Sequence, residues 1–482
     1  MTIADSAAEQ ISAATNSENF LQNFATRRPS PAERQQTGRD LRRKVPRREH
    51  AAFVPAPNRA SPIEILEAQN ASRAQKLVPV RFARMLASPF AFLRGSAAVM
   101  AADLATSPTT EMYVNACGDM HVSNFGLFGS AERQLVFAIN DFDEVYPGPW
   151  EWDLKRLAAS AAVAVRFMGG DKPQAFEAAV KCVRAYRKHI ARYADLGTQQ
   201  IWYERIDEQA VLNALKSQAG DAAKSMIAKA KAKGHKRVLE KMTEEVGGEY
   251  RISENGPLVV RETHYDDGQS IEAALDTMLH SYVLSLDFDR RRMLSRYRIV
   301  DIARKVVGVG SVGTSCWVML LSGPGKDDPL FLQVKQAQAS VLEPYSAYKL
   351  PYSHHGQRVV IGQRLVQGSP DIFLGWGEIG SHDFYVRQLA DMTGSMEIEG
   401  DNRRQIDSFF EYCALCGWAL ALAHAKSGDA AMISGYCGKS AVLDEAIANF
   451  SVAYARQTEQ DYDLLDKARR SGRIQVFDEP HI

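Results

Sequence analysis

The sequence predicts an α+β fold of two lobes, a large helical one and a small one built on an antiparallel sheet. Three observations lead there. The chain has 482 residues, more than one ordinary hydrophobic core absorbs. Helical spacing of apolar residues dominates from Ile63 to about 300 and again from 402 to 470. Between them, from Lys305 to about 390, short β-rich runs separated by glycines and polar turns replace it. The implied division is an N-terminal arm over 1–55, a mainly helical unit over 56–300, a sheet unit over 301–397, and C-terminal helices over 398–482 packing on the helical unit.

The arm is polar and rich in arginine and serine. The piece RRPSPAERQQTGRDLRRKVPRREH offers little to bury, so a flexible, solvated tail is expected. Ile63 and Leu66, then Phe82, Met85 and Leu86, mark helices. SPFAFLRGSAAVMAADLA reads as a turn and a buried helix. YVNAC and LVFAI read as strands, each delivering acidic residues at its C-terminal end, and LKRLAASAAVAVRFM follows as a helix. The basic stretch KSMIAKAKAKGHKRVLEKM has no interleaved aromatics and is read as a solvated helix face. Later strands are placed at KVVGVGSVGTSCWVMLLSG, PLFLQVKQA, DIFLGW and DFYVRQLADM, and helices at 354–368, 402–425 and 440–470.

Composition excludes several classes. The 45% apolar and 24% charged residues are those of a globular protein, and the formal net charge is zero. That balance gives no global attraction to nucleic acid or to an anionic membrane. The apolar stretches near 158–165 and 413–423 are shorter than a membrane span needs. The first residues lack the basic start and apolar run of an export signal, so a cytoplasmic location is expected. Six cysteines show no disulfide framework, and the Cys413–Cys416 pair sits in an apolar helix, where packing is the expected role.

Chemistry concentrates in GDMHVSNFG, Gly118 to Gly126, and NDFDEV, Asn140 to Val145. Phosphoryl transfer from a nucleotide needs a carboxylate at the acceptor hydroxyl and hard oxygen ligands for Mg²⁺. Asp119 fits the first role, and Asn124 and Asp141 the second. Asp143 is either a second metal contact or a solvated or capping residue, and His121 is read as fixing the loop. Asp153 begins a helix, where capping alone explains a carboxylate, although it could also brace the catalytic loop from below. A polar loop whose Asp and Asn merely cap turns is the bland alternative.

The second cluster is GVGSVG, with Gly308, Gly310 and Gly313. A glycine pattern of this kind is weak by itself, and a dinucleotide site would need a helix after it. TSCWVMLL suits a strand instead, and a glycine loop between two strands covers the nucleotide in kinases. The next strand ends in Lys335, placed to reach phosphates, with Glu343 as the acidic group to orient it.

These residues resemble a known pattern. GDMHVSNFG with INDFDEVYPGPWEWDL is similar to the HGDLHxxN and IDFxxxxxGxxxxDL segments of aminoglycoside phosphotransferases and related small-molecule kinases, with Cys117 where the pattern has histidine. The resemblance implies a protein-kinase-like fold with Asp119 as catalytic base, Asn124 and Asp141 as Mg²⁺ ligands, Asp153 as structural brace, and ATP as donor to a small-molecule acceptor. Through LVPVRFARMLASPFAFLRGSAAVMAADLA, SRYRIVDIARKVVGVGSVGT, HGQRVVIGQRLVQ and LAHAKSGD, the chain from about 40 to 470 also resembles a bacterial family known as domain of unknown function 2252, which implies no substrate. In standard kinases the glycine loop precedes the catalytic loop. Here Asn124 precedes Gly308 by 184 residues, so a shared site requires a circularly permuted chain. Phosphoryl and nucleotidyl transfer share these requirements. A metallophosphoesterase built on Asp119, His121 and the GSHD segment at 380–383, or a non-catalytic nucleotide-binding regulator, are the competing expectations.

Overall fold

Alternation along the strands decides which face each side chain takes. In the computed structural model of the chain, residues 24–215, 219–232, 234–265, 268–325, 328–389 and 392–477 are described. Twelve strands are named among them: β1 Tyr113–Ala116, β2 Phe125–Gly129, β3 Leu135–Ile139, β4 Tyr146–Pro149, β5 Thr243–Val246, β6 Glu249–Ile252, β7 Val259–Val260, β8 Arg298–Lys305, β9 Cys316–Ser322, β10 Pro329–Ala337, β11 Gly375–Ile379 and β12 His382–Gln388. Six form an antiparallel sheet in the order β11-β12-β10-β9-β8-β7. The others make three two-stranded ribbons, β1 with β4, β2 with β3, and β5 with β6.

Leu330, Leu332 and Val334 of β10, with Phe384 and Val386 of β12, face the helix Ile271–Ser285 and pack with its Leu275, Met278 and Tyr282. The intervening residues face the other way. Phe331 packs with Val318, Leu320, Leu239 and Ile252. Farther along that face stand Gln333 and Lys335, opposite Arg387 and Tyr385 in register. The sheet's core therefore draws on residues from 239 onward, so the sheet unit begins earlier in the chain than the change of texture at 301 suggests.

The helical part is built on four long helices: α1 Trp150–Phe167, α2 Lys172–Ala194, α3 Ile406–Ser427 and α4 Val442–Arg470. Small residues let them approach closely. Gly417 of α3 lies so near α2 that an added Cβ would meet the carbonyl oxygen of Cys182 at 2.1 Å. By length and composition α3 could cross a membrane, which the run at 413–423 alone does not indicate, but 67% of its apolar window is buried inside the protein. Cys413 and Cys416 are buried free thiols there, pushed well up in pKa by desolvation, in keeping with a packing role. The expected helix after Ser88 is two, Pro89–Gly95 and Ala97–Ala105, divided at Ser96.

The N-terminal arm departs from expectation. Residues 1–23 lie outside the described residues, but Pro31–Leu41 is a helix with a capping box between Ser30 and Glu33, followed by a 3₁₀ turn at Arg47–Ala51. The helix lies against Ala430–Cys437, with Gly38 close enough that a Cβ would sit 1.9 Å from the carbonyl oxygen of Met432. The arginines that suggested a solvated tail are used locally. Arg42 donates to the carbonyl of Tyr436 at 2.9 Å and Arg47 to that of Cys437 at 2.7 Å, satisfying acceptors that a helix C-terminus leaves open.

His50 anchors this docking, fully buried with Nε2 2.7 Å from the Tyr436 hydroxyl. Desolvation, reinforced by Lys155, pushes its pKa from 6.5 down to about 3. The folded state therefore holds it neutral. Its contribution is complete above about pH 6.5 and is lost as the pH falls toward 3. Thermal melts from pH 7.5 to 4.5 should show the wild type losing stability relative to His50→Asn by about 1.4 kcal/mol per pH unit below 6.5. Parallel curves would show that the contact does not titrate.

Candidate functional site

The loop after β1 is fixed from beneath. Asp153 does not cap its own helix. It reaches back and accepts hydrogen bonds from the backbone N–H of Cys117 at 2.7 Å and of Gly118 at 3.0 Å. Its carboxylate is 1% exposed, with His424 Nε2 3.4 Å away and His424 Nδ1 2.8 Å from the Tyr186 hydroxyl. A buried charge with three neighbours of this kind makes a rigid floor. The two hydrogen bonds fix the direction of the chain into Asp119.

Asp119 faces a cleft. Arg156, buried on α1, donates to Asp119 Oδ1 through both Nε and Nη2, and through Nη2 also to the carbonyl of Leu93 at 2.9 Å. Oδ2 lies toward Gly310, 3.9 Å from where a Cβ on that glycine would be. Nε2 of His121 is 3.7 Å from Oδ2, too long for a hydrogen bond, and its Nδ1 is buried with no protein partner. Desolvation pushes the His121 pKa down to about 3, so the ring is neutral.

Asn124 ties the two acidic segments together. Its Nδ2 donates to the carbonyls of Asp119 and Asp141, both at 3.2 Å, and its own carbonyl accepts from Asn140 N–H at 3.0 Å. Carbonyls only accept, so the amide nitrogen must take this side and Oδ1 is left for another ligand. The two segments are adjacent ends of the β2–β3 ribbon, since Phe125 pairs with Ile139. The sequence reading missed β2 as a strand. Asp141 has 43% of its side chain open to the cleft. Desolvation, with repulsion from Asp143, raises its pKa against the pull of Lys335 and Arg387.

The sheet meets this ribbon at Asp143. Lys335 Nζ forms a close ion pair with Asp143 Oδ2 and lies 3.8 Å from Asp141 Oδ1, and the Tyr385 hydroxyl donates to Asp143 Oδ1 at 2.6 Å. Desolvation alone would lower the Lys335 pKa, but the two carboxylates outweigh it and the net shift is upward. Arg358 donates to the carbonyls of Asp143 at 2.9 Å and Gln338 at 2.7 Å, joining the helix His355–Gln367 to both. Glu343 is not the partner of Lys335. The 3₁₀ turn Glu343–Tyr345 leaves its Oε2 buried without a hydrogen bond, and Asp143 takes the place foreseen for it.

The glycine loop closes over the same space. It spans β8 and β9, with φ of +66° at Gly308 and +91° at Gly313, values that favour glycine. Three contacts pin it to the segment before β1: Arg73 Nη1 to the carbonyl of Val312 at 2.6 Å, Ala74 N–H to that of Gly313 at 2.8 Å, and Arg84 Nη1 to that of Gly308 at 2.5 Å. The resulting cleft of ≈ 140 Å³ is bounded by Asp119, Asn124, Asp141, Gly308 and Gly310. A larger cavity of ≈ 460 Å³ reaches the same sheet face at Gln333 and Arg387, the pair next to Lys335 and Tyr385.

A family model described as an uncharacterized protein conserved in bacteria, DUF2252, matches residues 73–468. The chain belongs to this family. No curated protein and no solved structure matches it. The family match begins at Arg73, the residue that pins the glycine loop, and so covers every cleft residue named above.

Of the residues foreseen from sequence, Asp119, Asn124, Asp141, Gly308 and Gly310 border one cleft. Lys335 reaches it through Asp141, Gly313 pins the loop, Asp153 lies beneath and Glu343 stands apart. His382 of the GSHD segment is held by the Tyr265 hydroxyl at 2.7 Å and does not border the cleft. Arg73, Arg94, Arg156, Arg358 and Tyr385 were not foreseen. No local motif marks them, because each acts on a partner far away in sequence.

Removing Asp153 should be costly. Asp153→Ala leaves two buried N–H groups and His424 facing an empty site, and about 3 kcal/mol of stability should be lost, with Asp153→Asn losing less. Denaturant titration followed by far-ultraviolet circular dichroism measures this. A change below about 0.5 kcal/mol, the range of ordinary surface substitutions, would remove Asp153 from the role of brace.

Proposed function

We propose that this protein is a kinase-like phosphotransferase that uses ATP and Mg²⁺ to phosphorylate a small-molecule acceptor. The observation that carries the reading is convergence. Residues 308–311 line one cleft with Asp119, Asn124 and Asp141, and Lys335 reaches it through Asp141, although 184 residues separate Asn124 from Gly308. Two weak or moderate motifs that meet in space support each other far more than either does alone.

The donor set fits a hard divalent cation. Asn124 offers a free amide oxygen and Asp141 a cleft-facing carboxylate, both suited to Mg²⁺. Bound there, Mg²⁺ would offset the negative charge of the donor's phosphates. Asp119, with Oδ1 held by Arg156, presents Oδ2 to orient the acceptor hydroxyl and receive its proton. Lys335 would exchange Asp143 for the phosphates of the donor. The sheet unit supports this assignment by its internal order: glycine loop, then a lysine on the following strand pair, then the helix His355–Gln367, as in the small lobe of kinases. The catalytic segment precedes that unit in the chain, so the arrangement is a circular permutation. The ≈ 460 Å³ cavity beside Gln333 is within the ~300–1,000 Å³ typical of small-molecule pockets and offers room for the nucleoside.

Nucleotidyl transfer would use the same ligands and differs in the product. A metallophosphoesterase loses support because His382 does not join Asp119 and His121 in the cleft. Mn²⁺-dependent hydrolysis of a phosphate ester without nucleotide would restore it.

The test is a thermal shift with Mg²⁺, with and without ATP. At one hundred times its dissociation constant, ATP should stabilise the protein by about 2.7 kcal/mol, a rise of at least several degrees. Asp141→Asn should abolish the rise. Asp119→Asn should keep it and lose turnover. A wild type that is unmoved by millimolar ATP overturns the assignment.

A further inference from the structure

The segment between the arm and β1 does more than hold the glycine loop. It sends two arginines into the cleft. Arg73 is 7% exposed, and its Nε is buried with no protein partner. Arg94, at the end of the Pro89–Gly95 helix, also has a buried Nε without a partner, and its guanidinium lies 6.0 Å from the centre of the Phe90 ring. Both border the cleft.

Their positions differ. Arg73 is under the influence of Glu144 and Asp143, on the side where the sheet meets the catalytic ribbon. Arg94 is under that of Asp119. Arg94 is held there, because the Arg156 that grips Asp119 also grips the carbonyl of Leu93, the residue before it. Gly310 covers the gap, with its Cβ position 3.6 Å from the Arg94 carbonyl oxygen and 3.9 Å from Asp119 Oδ2. A partly buried guanidinium with open donors, beside the carboxylate that would face an acceptor and beneath a glycine loop, is a site for an anion that arrives between the two.

We infer that Arg94 is a catalytic residue that binds the phosphoryl group in flight between donor and acceptor, an arginine supplied by the chain's own N-terminal segment. The inference rests on the proposed phosphotransferase reading. In the step, the bond from the γ-phosphorus to the β–γ bridging oxygen breaks and that oxygen leaves on ADP. A bond forms from the γ-phosphorus to the acceptor oxygen, whose proton passes to Asp119. Charge spreads over the three equatorial oxygens as this happens, and Arg94, which borders the same cleft, meets it. Arg73, at the other end of the cleft, would contact the donor's remaining phosphates.

The experiment uses ADP, Mg²⁺ and fluoroaluminate, which together mimic the transferring group. Thermal shifts are measured for the wild type, Arg94→Ala and Arg94→Lys with ADP·Mg²⁺ alone and then with fluoroaluminate added. The wild type should gain a further rise from fluoroaluminate. Arg94→Ala should keep the ADP·Mg²⁺ shift, which also verifies that it folds and binds, and lose the further rise; Arg94→Lys should recover only part of it. ATP turnover by Arg94→Ala should fall by roughly 10³-fold, the lower end of the effect of such arginines. If Arg94→Ala keeps the full fluoroaluminate gain, or if the wild type binds ADP·Mg²⁺ and gains nothing from fluoroaluminate, the role of Arg94 is overturned while the nucleotide reading stands. If the wild type binds neither ADP nor ATP, the phosphotransferase reading fails and the role of Arg94 falls with it.

Discussion

Asp143 is where the two halves of the molecule meet. Lys335 and Tyr385 reach it from the sheet, and Arg358 holds its backbone carbonyl from the helix beside the sheet. Lys335 is almost wholly buried, and an unpaired ammonium at that depth would cost several kcal/mol. The pairing is thus a condition of the fold as well as a feature of the site. Without Asp143 the lysine would have to lose its proton or pull away, and the sheet would lose its polar tie to the β2–β3 ribbon. Much of the cleft is positioned relative to that contact: Asp141 two residues before it, Asn124 clamped to Asp141, and the glycine loop leading into β9, the strand beside β10.

The chain order looks unfavourable for such a site and is not. Bringing residues 184 apart together adds little loop-closure entropy over a shorter separation, since the cost grows only with the logarithm of length. The acidic ribbon is a hairpin, with α1 immediately after β4, and the sheet unit is a series of antiparallel neighbours interrupted by helices between β7 and β8 and between β10 and β11. What must be specified over distance is the packing of the C-terminal helices on α1, α2 and the arm, and the docking of the sheet on the ribbon. The buried polar groups at that junction accept few alternatives, which makes its register specific.

The sequence was most informative where a function is condensed into a few consecutive residues. Asp119, Asn124 and Asp141 were legible because spacing and residue type within nine- and six-residue segments matched a definite chemical need. The glycine loop was legible through its strand context. Lys335 was legible only as the end of a strand, and which face it takes emerges from the packing of its alternate neighbours on the helix Ile271–Ser285. Glu343 was misplaced because its role depended on where the turn after β10 points, which nothing local determines. The basic arm was misread for a related reason. Charge and low hydrophobicity argue for a solvated tail only when no partner is known, and the carbonyls at the end of Ala430–Cys437 that Arg42 and Arg47 satisfy lie nearly 400 residues away. The helix Ile271–Ser285 lies in the stretch grouped by position with the helical unit, yet it packs on the sheet, because an apolar helix face does not say which core it enters.

The arginines of the cleft show the same limit in its strongest form. Arg94 sits in an apolar stretch, and by composition alone it is a single charge to be carried to the surface. Its importance arises from a chain of holds that exists only in space, from Asp153 to the loop that bears Asp119, from Arg156 to Asp119 and to Leu93, and from Leu93 to the residue next to it. Each link is an ordinary hydrogen bond or ion pair. Their common effect is to hold a guanidinium with a buried, unpartnered Nε in the same cleft as the Asp119 carboxylate, whose Oδ1 is taken by Arg156. On the proposed reading, that placement supplies positive charge already in position where a charged group would be transferred.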